Sequence, residues 1–563
     1  MELRRFPFDA DGCESSGNDS WGKNWSVVYM INSKKEMYVG ETSSFQERFR
    51  QHLRNPERKA LFDIIRLVGD EDFHKSYVLD IEQRLIRLCS ADGKFKLQNR
   101  SAGQSAEHMY PQKNDCEKKI REIWGLMSNE ELTDHSYDEL INTNIFKFSP
   151  YTALTKEQNN VAYNVLRQLL EDLQNKRPGT SIVNGSAGTG KTIVALNIIF
   201  TIANIQRINH DVDFNSKDKW QVLIKEWKDY VQKNGMPKIA FIVPMQSIRA
   251  TLSQVVKEIG DGMQKNLIVG PSAIVKKKYD IIFVDESHRL KRRKNIMEYK
   301  SFDACCAKLG LEQKKANQLD WIIKCCKHRV LFYDPLQSIK SADISPEEYK
   351  HSLGSDRLSK YYLLSQMRCL GGNDYIEYVK DAFDTNLSQK KNFGTFEIRV
   401  FDDVDNMVQS IKKKDASVGL CRTVAGFSWE WVTKNVPLDQ IKEKKLFDIK
   451  IGKYEYIWNT TDKNWILSPN ATNEIGCVHT TQGYDLNYVG IIFGEEINWD
   501  EKTGQIEVYL EKFFDKKVKA ATSPTKVKEY IVNAYRVMMT RGIKGCYMYA
   551  CNPGMQKFLK KWF

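Results

Sequence analysis

The run Gly185-Ser186-Ala187-Gly188-Thr189-Gly190-Lys191-Thr192 has the spacing GxxxxGK[ST]. Glycines at these places let backbone N–H groups turn inward around phosphate, and the positive end of a following helix adds to the attraction. Lys191 would reach the outer phosphates of a nucleoside triphosphate, and Thr192 would coordinate Mg²⁺. Further along, the apolar stretch Ile281–Val284 ends in the paired acids Asp285 and Glu286. A carboxylate at such a strand tip can hold Mg²⁺, and its neighbour can polarise an attacking water. An acidic pair after a strand is also an ordinary helix cap. Its place beyond the phosphate loop, after an intervening candidate strand, favours the hydrolytic reading.

A second set lies near the start of the chain. Tyr29 and Tyr38 sit in two short apolar stretches, followed by Arg48 and His52, whose four-residue interval puts both on one helical face. Glu82 lies on a later helical stripe, and Asn99 follows in Leu97-Gln-Asn-Arg100. Phosphodiester cleavage needs a water activator, a cation for the developing phosphorane charge and a carboxylate to hold a metal ion. This set contains all three. The ordinary alternatives are strand tyrosines, a surface arginine and a structural ion pair at Glu82.

The elements that must position these residues read as follows. Residues 25–31 and 36–41 are two strands around the polar turn Asn32–Lys35; helical patterns follow over Ser44–Leu53, Phe62–Val68 and Tyr77–Cys89. Residues 105–150 are charged and mixed, with a helical middle. From Tyr151 the grammar becomes strand–loop–helix, with buried strands expected at Ser181–Asn184, Ile239–Val243, Ile281–Val284 and Val330–Tyr333. The pattern returns at Glu397–Phe401, Ser417–Leu420, Gly490–Phe493 and Cys546–Ala550. Two successive parallel sheets covered by helices are implied.

At 563 residues the chain exceeds one ordinary core, so two to four domains are expected. A surplus of 85 Lys+Arg over 72 Asp+Glu biases it toward polyanions such as nucleic acid. The opening MELRRFPFDADG has no apolar run behind its arginines, so no signal peptide is expected. The longest apolar stretch, Ile193–Ile205, is interrupted by Asn197 and Asn204 and is too short to span a bilayer. The twelve cysteines form neither a CxxC pair nor a zinc-spaced cluster, which points to reduced thiols in a cytoplasmic protein.

The order of motifs resembles a superfamily 1 helicase, most closely the Schlafen-type group of DNA/RNA helicase domains. The resemblance implies that Gln158 in Leu154-Thr-Lys-Glu-Gln158 contacts adenine and that Ile242-Val-Pro-Met-Gln246 contacts a single strand. It implies that Gln337 in Phe332-Tyr-Asp334-Pro-Leu-Gln337 reads the γ-phosphate. Arg368 in Leu364-Ser-Gln366-Met-Arg368 and Arg541 in Tyr535-Arg-Val-Met-Met-Thr540-Arg541 become arginine fingers, and His479-Thr-Thr-Gln482-Gly483 completes the series. Tyr333 departs from the small residue usual in that motif. Residues 24–104 resemble the GIY-YIG nuclease family, with Val27-Val28 standing where the family name has Gly-Ile. That resemblance implies Tyr29 near the attacking water, Tyr38 assisting, Arg48 on the scissile phosphate and His52 in support. It further implies one divalent ion on Glu82, and Asn99 bracing the site.

The expectation is therefore an α/β chain: a small GIY-YIG-like nuclease domain over 24–104, a helical linker over 105–150, and RecA-like lobes over 151–355 and 356–563. The first lobe carries the P-loop. ATP and Mg²⁺ are the expected cofactors, with Mn²⁺ as an alternative at the nuclease site. Nucleic acid is the expected partner, DNA ahead of RNA, and no membrane is involved. Such a fusion suits microbial anti-phage defence or DNA processing. The competing reading is a nucleic-acid-sensing ATPase switch whose front domain binds without cutting. The basic run His288–Lys294 is either a phosphate-backbone contact or a solvated charge run.

Overall fold

A computed structural model describes the chain except residues 100–109, 112, 150–151, 153, 187, 209–218, 260–265, 297, 335–341, 355–356, 366–368, 435, 462–464, 482–485, 516–517 and 520–522. It resolves into two compact units. One gathers residues 1–174, 192–237 and 251–267; the other gathers 175–191, 238–250 and 268–563.

In the first unit, β1 (Glu2–Pro7), β2 (Val27–Asn32), β3 (Glu36–Thr42), β4 (Ile64–Gly69) and β5 (Lys96–Leu97) form one sheet in the order β1-β4-β2-β3-β5. Alternation along β2 sends Val27, Tyr29 and Ile31 into a core with Phe8, Phe45, Phe49, Ile65 and Leu67. Val28 and Met30 face the opposite way, into a core with Val78, Ile81 and Leu85. Both faces are thus covered, by α1 (Ala10–Ser16), α2 (Phe45–Arg54) and α3 (Pro56–Leu61) and by the long α4 (Lys75–Asp92), which Gly93 closes at φ 71°. The helix expected over Phe62–Val68 is instead the strand β4. Burial on both faces makes a strand nearly continuously apolar, and so short a run carries no periodicity to separate it from a helix.

The segment expected as a linker holds α5 (Cys116–Asn129), α6 (Tyr137–Ile141) and α7 (Asn144–Lys147). Their Ile120, Ile123, Trp124, Met127, Leu140 and Phe146 share the core of α4. Next come α8 (Lys156–Gln174) and α9 (Lys191–Ala203), then the helix Lys219–Asn234, whose Trp227 Nε1–H donates to the Leu166 carbonyl at 3.2 Å.

The second unit contains two parallel sheets. The first joins β6 (Gly179–Gly185), β7 (Ile239–Ile242), β8 (Ile268–Val269), β9 (Ile281–Val284), β10 (His328–Tyr333) and β11 (Leu358–Leu363) in the order β11-β6-β10-β9-β7-β8. The phosphate loop leaves β6; β10 beside it and β9 beyond β10 end immediately before Asp334 and Asp285. The second sheet orders β12 (Glu397–Val400), β13 (Cys421–Ala425), β16 (Ile475–Cys477), β17 (Leu486–Phe493) and β20 (Gly542–Ala550) as β12-β20-β17-β13-β16. Two small hairpins, β14 (Ile449–Ile451) with β15 (Tyr454–Tyr456) and β18 (Ile497–Asp500) with β19 (Gln505–Val508), flank it. The strand expected at Ser417–Leu420 begins later, at Cys421. Ser417 and Val418 finish the helix Val404–Val418, and Gly419 (φ 68°) and Leu420 (φ 49°) make a left-handed turn that no strand tolerates. Among the described residues no helix is long and apolar enough to cross a membrane.

Candidate active sites

On the first unit, the sheet and α2 bring four predicted side chains together. Tyr29 Oη lies 2.8 Å from His52 Nε2. Arg48, one turn before His52 on α2, donates its Nε–H to the same oxygen at 3.3 Å. The Tyr38 ring centre is 5.4 Å from that of His52 and 6.2 Å from that of Tyr29. Asn99 acts as an extra strand partner beside Tyr38: its Oδ1 accepts the Val39 N–H at 2.9 Å, and its Nδ2 donates to the Val39 carbonyl at 2.7 Å. Burial, then Arg58 and Arg48, hold the His52 imidazole down at about 2, so it is neutral. Burial and Tyr38 push the Tyr29 phenol well above its ordinary value, and Arg48 opposes them.

Glu82 reaches the same neighbourhood from α4. Packing around its carboxyl, then the Glu41 charge, push it up to about 8 against the opposing pull of Lys75 and Arg48. Glu41 is paired with Lys75 at 2.7 Å. Glu41, Lys75 and Arg58 were not foreseen. Only Glu41 left a signal, as the acid directly following Tyr38-Val-Gly40.

Gly40 is a steric requirement of this site. It pairs with Tyr29 across β2 and β3, and a Cβ built on it would lie 2.4 Å from both Cζ and Oη of Tyr29. Gly40→Ala is expected to cost roughly 1–3 kcal/mol, as overpacking does, and to displace Tyr29 from His52. A melting curve that superimposes on the original would refute this packing.

On the second unit, the phosphate loop owes its shape to glycine. Gly188 and Gly190 have φ of 83° and 82°, left-handed values that other residues adopt only at a cost. A side chain at Gly185 would press on Thr189 and Leu363. Lys191 Nζ donates to the carbonyls of Gly185 and Ser186 at 2.7 and 3.0 Å and lies 3.7 Å from the Asp334 carboxylate. Asp285, only 1% exposed, accepts the Glu286 N–H on Oδ1 at 3.0 Å. Glu286 itself is left-handed, at φ 44° and ψ 49°. A non-glycine residue there stores about 1–3 kcal/mol of strain, a feature that gathers at functional sites.

Glu286 Oε2 lies 2.9 Å from His288 Nε2, and the Asp334 N–H donates to His288 Nδ1 at 3.2 Å. Burial works to raise the Glu286 carboxyl, but His288, Lys191 and Arg289 together outweigh it and hold the group ionised, below the usual carboxylate range. Ser287 Oγ–H donates to the Phe332 carbonyl at 2.8 Å, tying the ends of β9 and β10 together. Tyr333, the departure from the motif, stacks on Tyr349 at 4.2 Å and so fills space a small residue would leave.

Gln158 takes part in a helix cap: its Oε1 accepts the Thr155 N–H at 3.0 Å, and its own N–H donates to Thr155 Oγ1 at 3.2 Å. Thr192 opens the part of α9 that belongs to the first unit. Arg541 sits between the helix Pro524–Met539 and β20, with a side chain 2% exposed. Ala187, Gln337, Gln366, Arg368, Gln482 and Gly483 lie outside the described residues. The basic run is mostly engaged within the protein. Arg289 pairs with Asp343 at 2.8 Å, Arg292 with Glu348 at 3.2 Å and Arg293 with Asp303 at 2.6 Å. Three of its cations thus have carboxylate partners distant in sequence, while Lys291 and Lys294 are exposed.

Residues 178–552 match the Schlafen group 3 DNA/RNA helicase domain, and residues 25–96 match the GIY-YIG catalytic domain. The uncharacterized protein YPL245W of Saccharomyces cerevisiae is 23% identical over 448 residues, which span 72% of this chain and 90% of that protein. Among solved structures, the arterivirus nonstructural protein 10 helicase in complex with DNA is similar at 9% identity and a TM-score of 0.27, over 70% of this chain and 65% of that one. The Pif1 helicase of Candida albicans is similar at 10% identity and a TM-score of 0.23, over 67% of this chain and 99% of that one.

Proposed function

Because the chain belongs to the Schlafen group 3 DNA/RNA helicase domain family, we propose that it hydrolyses ATP to move along or remodel nucleic acid, and that its front domain cuts the phosphodiester backbone. The observation that carries this reading is the convergence of Lys191, Glu286, His288 and Asp334 from three neighbouring strand ends into one buried cluster. Lys191 is the group that would bind the outer phosphates. Glu286, ionised, is the base: it takes a proton from water as the water oxygen bonds to the γ-phosphorus and the bond to the ADP oxygen breaks. Asp285 and Thr192 are the residues that would hold Mg²⁺, Gln158 and Gln337 would contact the nucleotide, and Arg368 and Arg541 would stabilise the transition-state charge.

At the front domain, Arg48 would bind the scissile phosphate while Tyr29 and Tyr38 orient the attacking water, with His52 holding Tyr29 and Asn99 holding β3. Glu82 suits a divalent cation: a carboxyl pushed up by packing and by Glu41 is the kind of group that a bound cation stabilises in its charged form. Such an ion, Mg²⁺ or Mn²⁺, would supply charge neutralisation at the phosphate.

The test uses the purified chain with single-stranded DNA, duplex DNA and RNA, each with and without ATP and with either ion. Nucleic acid is expected to stimulate ATP turnover, and at least one polymer is expected to be cut when a divalent ion is present. ATP turnover indifferent to every polymer would end the motor reading. Binding and stimulation without any cutting would leave the ATPase-switch reading instead.

A further inference from the structure

We propose that Arg58 is a positioning residue that fixes His52 in its Nε2–H tautomer, so that His52 donates to Tyr29 and the Tyr29 hydroxyl hydrogen is turned outward. The inference rests on reading this cluster as the nuclease site. Arg58 stands on α3, six residues beyond His52, with its guanidinium Nη1 closest to His52 Nδ1, the same nitrogen 3.4 Å from Nε2, and its Cζ 4.5 Å from the centre of the Tyr38 ring. It therefore touches two of the four clustered side chains.

A guanidinium has only N–H donors, so the ring nitrogen facing it must accept. In a neutral imidazole the proton then sits on the other nitrogen, and the partner of one ring atom decides the chemistry of the other. Here that other atom is Nε2, 2.8 Å from Tyr29 Oη. The same oxygen receives the Arg48 Nε–H at 3.3 Å. With two N–H donors arriving, Tyr29 keeps its own hydrogen for a third direction, away from both. The opposite tautomer would set Nδ1–H against the guanidinium and make Nε2 an acceptor. The Tyr29 hydrogen would then turn inward, and the hydroxyl would have none to offer a water or a phosphate oxygen. The charged groups around His52 agree with a neutral ring, since Arg58 and Arg48 are both cations and burial acts in the same direction.

Arg58 is part-buried and α3 has no buried residue, so its side chain lies outside the apolar core. The test labels the histidines of the full chain with ¹⁵N and reads the imidazole nitrogens of His52, identified by their loss in His52→Gln. In the unsubstituted protein Nδ1 is expected to be unprotonated and Nε2 protonated. Arg58→Met is expected to give a tautomer mixture and to lower the kcat of cleavage by about 10- to 100-fold, the usual effect of removing a partner that orients a histidine. KM should stay unchanged, and Arg58→Lys, which keeps a charged donor, should restore most of the rate. An Nδ1–H tautomer in the unsubstituted protein would overturn the proposal. So would Arg58→Met that leaves both tautomer and kcat as they were. If the unsubstituted chain cuts nothing, the nuclease reading fails, while the spectrum still decides the role of Arg58.

Discussion

Lys191→Ala is expected to lower nucleic-acid-stimulated ATP hydrolysis by about 100- to 1,000-fold, the cost of removing one preorganised donor to transition-state charge. Two consequences of the geometry must be separated. Lys191 is 4% exposed, and its ammonium is 3.7 Å from Asp334, so alanine also withdraws a cation from a buried carboxylate. Removing one partner of a buried pair is destabilising, by roughly 3–5 kcal/mol. A loss of activity alone would therefore be ambiguous. Lys191→Arg resolves it: the charge beside Asp334 is kept, but a planar fork replaces the compact ammonium that the loop carbonyls of Gly185 and Ser186 enclose. Arginine should preserve the melting temperature and still lose most turnover. A Lys191→Ala protein that melts normally and hydrolyses ATP at the original rate would sink the phosphate-binding role.

Glu82→Gln is expected to reduce cleavage by about 1,000-fold, equivalent to several kcal/mol of lost charge stabilisation, with ATP turnover unaffected. Its effect on stability should run the other way. The Glu82 carboxyl goes from an ordinary 4.5 to about 8 on folding. A group that binds its proton more tightly when folded contributes its full stability below the ordinary value and loses it as pH rises toward the folded one. In chelator, the unsubstituted protein should thus lose stability between about pH 4.5 and pH 8, and the glutamine variant should lose less. At the upper end the inactive variant should melt a few degrees higher. Cleavage at fixed, subsaturating metal should rise across the same window, because the ion must displace the proton. Cleavage that survives Glu82→Gln would remove Glu82 from the site.

What was legible in the sequence is what is local. The spacing Gly185–Thr192 declares a loop between a strand and a helix, and β6 and α9 lie on either side of it. The interval from Arg48 to His52 declares a shared helical face, and both side chains reach Tyr29 Oη. Local pattern failed at Phe62–Val68, where burial on two faces erased the alternation, and at Ser417–Leu420, where an apolar run covers a helix end and a left-handed turn. Contacts between distant residues left no trace at all. Nothing in the run from His288 to Lys294 announces Asp303, Asp343 or Glu348, and nothing near Lys191 announces Asp334. Charge spacing along the chain therefore announces neither these partners nor how tightly the phosphate loop is tied to its neighbours.

One side chain bears on how such a chain can be inherited. Phe200, on the helix that the phosphate loop opens into, is 4% exposed within the same apolar cluster as Ile81, Leu85 and Trp124. A recombination event that cut the gene just after the front catalytic domain would strip apolar cover from α4 and leave Phe200 without its surroundings. An exchange that preserved this core would have to carry α5 to α7 and α9 with the front domain.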